Sequence, residues 1–193
     1  MWIYLVFLAA IGLLRIVELR VSRRNWQHHQ GKAAKLEEPL FRWMVLLHSS
    51  FFVLIPLELW LRQPSFGGPL SWVACSLVAL TLLLRTWTLR TMGRSWNVEV
   101  VHGPDYPIIT HGPYRYIRHP NYLVVILELV FIPLIYHLYA SAALLTLANA
   151  MVLRVRIRNE EAVLFQNPNW VEKMSGKPRF VPGLPAPSLS PRR

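Results

Sequence analysis

The feature that most limits how this chain can fold is a series of apolar runs about as long as a bilayer is thick. A helix needs about 20 apolar residues to cross the hydrocarbon core. Met1–Leu19 and Phe41–Leu61 qualify, and Leu70–Leu84 does so if Arg85 snorkels and the helix continues to Leu89. Arg15 and Glu18 interrupt the first run, spaced so that they can pair on one face. His48 and Glu58 fall in the second. Gln63-Pro64-Ser65-Phe66-Gly67-Gly68-Pro69 divides the second run from the third with strong turn chemistry. The last apolar block, Leu123–Leu153, would be about 46 Å long as one helix, too long for a single span. Pro133 and Tyr136-His137-Leu138-Tyr139 lie near its middle, so it reads as two short helices folded into a hairpin. The expected fold is an all-α integral membrane protein with about five transmembrane helices.

Charge sets the expected orientation. The chain carries 21 Lys and Arg against 10 Asp and Glu, beside a hydrophobic content of 53%. In a soluble protein such a balance would suggest nucleic acid. Here it fits the basic residues that collect at the cytoplasmic ends of membrane helices, and no nucleic-acid-binding motif is present. The first connection holds Arg20, Arg23, Arg24, Lys32, Lys35 and Arg42, whereas the second holds Arg62. Arg90, Arg94, Arg115 and Arg118 follow the third helix. One topology satisfies this pattern: N-terminus outside, five crossings, C-terminus in the cytoplasm. Met1 opens directly on an apolar run, which reads as a first membrane helix rather than a cleavable signal. Cys75 is the sole cysteine, so an internal disulfide and a multi-cysteine zinc site are both excluded. The segment from Pro178 to Arg193 is rich in proline and basic residues and is expected to be extended, with 183–193 disordered.

The polar chemistry collects in two places. His111-Gly112-Pro113-Tyr114-Arg115-Tyr116-Ile117-Arg118-His119-Pro120-Asn121-Tyr122 packs imidazoles, guanidiniums and phenols between two stiffening prolines. That composition suits a site for a polar, ring-bearing ligand, and equally an interfacial belt. The second cluster, Arg154-Val155-Arg156-Ile157-Arg158-Asn159-Glu160-Glu161, follows the last apolar segment. On a helix Arg156 and Glu160 share a face, and the two acids point about 100° apart. A hairpin brings Tyr122 and Leu153 to the same membrane face, so both clusters converge. P-loop, G-x-S-x-G, H-E-x-x-H and G-x-G-x-x-G patterns are all missing from the sequence.

R-H-P-N-Y at Arg118–Tyr122, preceded by G-P-Y and followed by an apolar hairpin and R-x-x-x-E-E-x-x-L at Arg156–Leu164, resembles the isoprenylcysteine carboxyl methyltransferase family. The match runs from about Trp96 to Pro182. The resemblance implies a membrane enzyme that uses S-adenosyl-L-methionine, held in a cytoplasmic cofactor site. It divides the chain into three N-terminal transmembrane helices (1–90), a catalytic region (91–182) and a basic tail (183–193). The cofactor contacts it implies are Glu99, Tyr106, Pro107, Ile108, Ile109, Tyr114, His119, Pro120, Asn121, Tyr122 and Glu160. Arg156 is implied as the substrate-side cation. The family's usual Gly after H-P-x-Y-x is Val124 here, and its T-S-G-x-Y is Thr110-His111-Gly112-Pro113-Tyr114.

Methyl transfer from a sulfonium is an in-line displacement, so positioning and electrostatics are the protein's main work. Arg156 suits an anionic acceptor oxygen, and His119 or Glu161 could serve as a base for a hydroxyl acceptor. The expected function is O-methylation of a lipophilic acceptor: a lipid phenol, an alkylpyrone or a carboxylate. Alternatives are the carboxylate of a prenylated cysteine, a phospholipid amine, and a membrane scaffold without catalysis. Membrane lipids are expected partners, nucleic acid is not, and the bacterial inner membrane is the expected location. No metal site is expected.

Overall fold

A computed structural model describes residues 1–31, 33–103 and 106–183. Along the chain run helix α1 (Trp2–His29), strand β1 (Ala34–Lys35), helices α2 (Phe41–Arg62) and α3 (Gly68–Met92), and strand β2 (Val101–His102). Helices α4 (Pro120–Leu134), α5 (Tyr139–Leu164) and α6 (Pro168–Met174) follow. Four helices are long and apolar enough to cross a membrane: α1, α2, α3 with its 3-10 extension to Ser95, and α5. Helix α4, with 15 residues, is apolar but shorter. Apolar side chains crowd the outer faces, with Ile3 87% and Trp2 75% exposed. Water would penalise such a surface, whereas lipid matches it.

The helices alternate in direction between two ends. At one end the Met1 ammonium donates to the Tyr136 hydroxyl at 3.1 Å, and Arg62 donates to the His137 carbonyl at 3.2 Å. The start of α1, the end of α2 and the α4–α5 turn therefore meet there. At the opposite end Asn25 donates to the Trp96 carbonyl at 2.7 Å, joining the end of α1 to the segment after α3. The tight apolar core lies towards the first end, where Leu8, Ile55, Ala74, Ile132 and Leu145 pack together. The opposite end is looser and holds a cavity.

Three expectations need correction. The hairpin is present, with its turn over 135–138, but its second arm is long: α5 has 26 residues. Bilayer thickness does not end that helix, because Arg154–Glu161 carries three Arg and two Glu, all good helix formers, and continues the same ladder beyond the apolar stretch. The fold is not purely helical, since β1 and β2 pair antiparallel, with Ala34 opposite His102 and Lys35 opposite Val101. That ladder folds the first and third connections over the open end, and Leu36 N–H donates to Val100 O at 2.9 Å beside it. Arg85 does not snorkel; it is buried and turned towards α1 and α4.

Two prolines mark the ends of α4. Pro120 occupies its first turn, where the missing N–H costs nothing and the fixed φ favours the helix. Pro133 lies in its last turn, and the chain leaves through His137, whose φ is +56°. Pro178 and Arg179 are tied down: their carbonyls accept from the backbone amides of Arg118 and His119 at 2.9 and 3.1 Å. The tail expected to be disordered lies, from residue 184 onward, outside the described residues.

Candidate functional site

The cavity at the open end has a volume of about 790 Å³, within the range of small-molecule sites. Its polar end is built where the sequence concentrated its chemistry. Because α4 and α5 are antiparallel arms of one hairpin, Tyr122 near the start of α4 stands beside Arg156 and Glu160 near the end of α5. The Tyr122 hydroxyl donates to a Glu160 carboxylate oxygen and accepts from Arg156 Nε at 2.9 Å. The His119 ring stacks on that of Tyr122, with centroids 5.2 Å apart and planes 22° apart.

Glu160 and Glu161 face different surroundings, as their angular separation on the helix requires. Glu160 lines the cavity. Glu161 does not; its side chain is fully buried and accepts from Arg179 Nη2 at 2.5 Å. Glu161 also meets His119 Nε2 at 3.0 Å and Arg118 at 3.3 Å. Expected as a possible base, Glu161 instead anchors the His-Pro turn and the Pro178–Arg179 segment. Burial lowers the Arg118 pKa while Glu161 opposes the shift.

The other expected cofactor residues divide in a similar way. Tyr106, Pro107, Ile108, Ile109, Tyr114, Asn121 and Glu99 line the cavity, and Pro120 does not. Tyr106 donates to the Ser95 carbonyl at 2.6 Å, and Tyr114 donates to Met92 Sδ at 2.9 Å. Burial pushes the Tyr114 phenol well above its usual pKa, so it remains a donor. Glu99 forms an ion pair with Lys35 of β1. Arg156, expected to hold an anionic acceptor, lines the cavity but has a partner on every side-chain nitrogen. Its Nε meets Glu38 at 3.1 Å as well as Tyr122, Nη1 contacts Met44 Sδ, and Nη2 donates to the Val98 carbonyl.

Several residues of the site were not singled out from sequence. Glu38 sits in an aperiodic polar connection that gives no positional signal, yet it bridges Arg156 and the Val100 amide, the latter at 3.1 Å. Trp96 Nε1 and Asn97 Oδ1 are buried, line the cavity and have no hydrogen-bond partner among the described residues. Deeper in, Arg15, Glu18, Arg85 and Glu128 join α1, α3 and α4. Arg15 reaches Glu18 at 2.8 Å and both Glu128 oxygens at 2.7 and 2.8 Å. Arg85 reaches Glu18 at 2.7 Å and Glu128 at 3.5 Å. Charges placed inside apolar runs were the available signal, since they persist in membranes only when paired or functional. Val45, Phe52 and Val125 form apolar walls between this group and the polar end. Leu19 and Val45 line the cavity while nearly half exposed on the outer surface, so it opens sideways between α1 and α2.

Fold and site together define a multi-pass membrane protein with an internal pocket that joins buried polar groups to lipid-facing apolar walls. The model of the isoprenylcysteine carboxyl methyltransferase (ICMT) family matches residues 72–166. The uncharacterized protein YpbQ of Bacillus subtilis (strain 168) is 33% identical over 163 residues, covering 82% of this chain and 95% of YpbQ. The nickel-cobalt-cadmium resistance protein NccN of Alcaligenes xylosoxydans xylosoxydans is 29% identical over 59% of this chain and 54% of NccN. The structure of the eukaryotic intramembrane Ras methyltransferase ICMT is similar in fold, with a TM-score of 0.52 and 23% identity. That likeness covers 74% of this chain and 53% of the eukaryotic one, so the chain spans about half the length of both NccN and that enzyme. The chain belongs to the isoprenylcysteine carboxyl methyltransferase family, a family of membrane methyltransferases.

Proposed function

We propose that this protein is an S-adenosylmethionine-dependent membrane O-methyltransferase acting on a lipophilic acceptor. The observation that carries the reading is one cavity with two unlike ends, polar groups lacking partners at one and apolar walls open to lipid at the other. The residues fit the cofactor. Trp96 Nε1 offers a donor and Asn97 Oδ1 an acceptor, each needing a ligand atom to offset its burial. Glu160 supplies a carboxylate for an ammonium or ribose hydroxyl, and the aromatic faces of Tyr114 and Tyr122 suit adenine or a cation. Ile108 and Ile109 add a short irregular stretch of chain beside them. When bound, the cofactor supplies an electrophilic methyl group.

The chain's own residues then position and enclose. The Glu38–Arg156–Tyr122–Glu160 series fixes the polar end. Glu161, through Arg179 and His119, fixes the turn that carries Tyr122. The β1–β2 ladder folds across the opening and limits access of water, which strengthens every electrostatic contact inside. The acceptor enters from the bilayer between α1 and α2 with its reactive oxygen leading. A lipid phenol, an alkylpyrone and the carboxylate of a prenylated cysteine all suit such a path, the last being favoured by family membership. The basic residues around the open end, Arg20, Arg23, Arg24, Arg94 and Arg115 among them, support a cytoplasmic orientation for the site.

The test is calorimetric binding of S-adenosylhomocysteine to detergent-purified protein beside Glu160→Gln and Tyr122→Phe. A hydrogen bond to a charged group is worth about 1.5–3 kcal/mol, so each variant is expected to lose about ten- to a hundredfold in affinity. Absence of binding by folded wild-type protein would overturn the proposal.

A further inference from the structure

We infer that the outer faces of α1 and α3 form a binding surface for anionic phospholipid, on which Arg20, Arg24, Arg90 and Arg94 take the phosphate headgroup and the apolar stripes above them take the acyl chains. The inference goes beyond the methyltransferase reading and does not depend on it. Its first ground is the uneven placement of uncompensated charge. At the end where α1 begins, Arg62 is the one Lys or Arg among the described residues, and Glu58 pairs with it at 2.8 Å. At the open end Arg20, Arg24, Arg90 and Arg94 are all exposed. None of the four forms an ion pair among the described residues.

The second ground is a pattern that the two helices share. On α1, Leu13, Val17, Arg20 and Arg24 follow one another at helical spacing, and so do Leu80, Leu83, Trp87 and Arg90 on α3, with Arg94 in its 3-10 extension. Each series therefore marks one face of its helix. Both faces point away from the protein interior, since Leu13, Val17, Leu80, Leu83 and Trp87 are all exposed. Each stripe is apolar through the bilayer and ends in two guanidiniums one turn apart. A phospholipid has the same profile, acyl chains first and a phosphate beyond them. Trp87 sits at the junction, where an indole suits the headgroup level.

The third ground is register. Helices α1 and α3 run in the same direction, and Arg85 donates to Glu18 at 2.7 Å while Asn25 donates to the Gly93 carbonyl at 3.2 Å. The partners are 67 and 68 residues apart, so Arg24 lies level with 91–92, between Arg90 and Arg94. His29 meets the Arg94 carbonyl at 3.2 Å, which holds the two helix ends together. Arg20 lies about 6 Å nearer the bilayer centre. These cations repel one another, and no carboxylate among the described residues offsets them. A phosphodiester does so, because its oxygens match the paired N–H groups of a guanidinium. A zwitterionic headgroup brings an ammonium of its own, so the surface favours a lipid with net negative charge.

The experiment places the full chain in phosphatidylcholine bilayers with a trace of spin-labelled phosphatidylglycerol or spin-labelled phosphatidylcholine. Electron paramagnetic resonance then reads the fraction of each label that the protein immobilises. Wild-type protein is expected to associate with phosphatidylglycerol at least about fivefold more strongly, the effect of one basic side chain at a membrane surface. The preference should shrink in about 1 M salt, where the Debye length is about 3 Å. Arg20→Gln/Arg24→Gln/Arg90→Gln/Arg94→Gln should bring it below about twofold. The α1 pair and the α3 pair, each replaced alone, should lower it in part, which keeps the test decisive if the fourfold variant does not fold. Arg42→Gln/Arg154→Gln/Arg158→Gln, at the same end on α2 and α5, should keep it. Equal association of the two lipids with wild-type protein overturns the inference. So does an unchanged preference in the fourfold variant or in both pairs, or an equal loss in the α2–α5 variant. Displacement of labelled phosphatidylglycerol by excess inorganic phosphate at constant ionic strength overturns it in favour of a free phosphate as the ligand.

Discussion

The four charges gathered between α1, α3 and α4, with Arg85 and Glu128 buried and Arg15 and Glu18 partly so, allow a quantitative test of how the fold is held together. Arg15, Arg85, Glu18 and Glu128 sum to zero, and Glu128 accepts two short bonds from Arg15 while its side chain is only 7% exposed. Replacing Glu128 by Leu keeps the volume similar but leaves three charges with a net value of +1. Removing one partner of a buried pair costs about 3–5 kcal/mol, because the remaining charge stays desolvated. For a chain of this size that corresponds to about 6–20 °C in Tm. Arg15→Leu should cost a similar amount with the opposite residual sign. The double variant Arg15→Leu/Glu128→Leu leaves only Arg85 and Glu18, which bond at 2.7 Å and compensate each other. Its stability should return to within about 1 kcal/mol of wild type, a strongly non-additive cycle. Thermal unfolding of detergent-purified variants, followed by tryptophan fluorescence, measures all three. Additive losses, or a Glu128→Leu cost below about 1 kcal/mol, would refute the reasoning that mutual compensation keeps these charges in the membrane interior.

Two further predictions concern the open end. Burial holds the Glu38 carboxyl above its usual pKa, with the Arg156 guanidinium and the Val100 amide pulling the other way. A raised folded value means that folding favours the protonated form, so this contribution is fully present below the ordinary carboxylate range and is lost as pH rises through the folded value. The Tm of wild-type protein should therefore fall across that window and Glu38→Gln should flatten the slope; an unchanged slope in the variant removes Glu38 as its source. Gly112 has φ +59°, and a Cβ there would lie 2.3 Å from Thr91 Oγ1. Gly112→Ala should lower stability by at least about 1–3 kcal/mol, measured as Tm, and adding Thr91→Ala should recover only the clash and not the backbone strain. A Gly112→Ala protein as stable as wild type would refute the assignment.

Legibility in the sequence followed the range of the interactions involved. Arg15 and Glu18 are three apart, so their pairing was readable from helical spacing, and it occurs. The further partners of those residues, Arg85 and Glu128, lie 67 and 113 positions away from them, where no local pattern reaches. The split of the block Leu123–Leu153 was readable because a single helix would outrun the bilayer and Pro133 offered a break. The full length of α5 was not, since apolarity marks where a helix sits in the bilayer and not where its hydrogen-bond ladder ends. Glu160 and Glu161 were readable as pointing apart on a helix, but their surroundings were not. One reaches the cavity, while the other is buried by Arg118, His119 and Arg179.

By itself, then, the sequence determined a helical membrane protein, the hairpin, the convergence of the Arg118–Tyr122 and Arg156–Glu161 motifs, and through them the family. Those properties depend on composition, periodicity and short spacing, which a linear chain displays directly. Tertiary structure decided which charges are already compensated. Arg156 carries the same formal charge in either view, but Glu38, arriving from the connection before α2, occupies it. His48 is one polar residue in an apolar run until packing sets it on the wall of the cavity, with Nδ1 at the Met44 carbonyl. Electrostatic availability depends on what lies within a few ångströms in space, and only the packed fold brings those neighbours together.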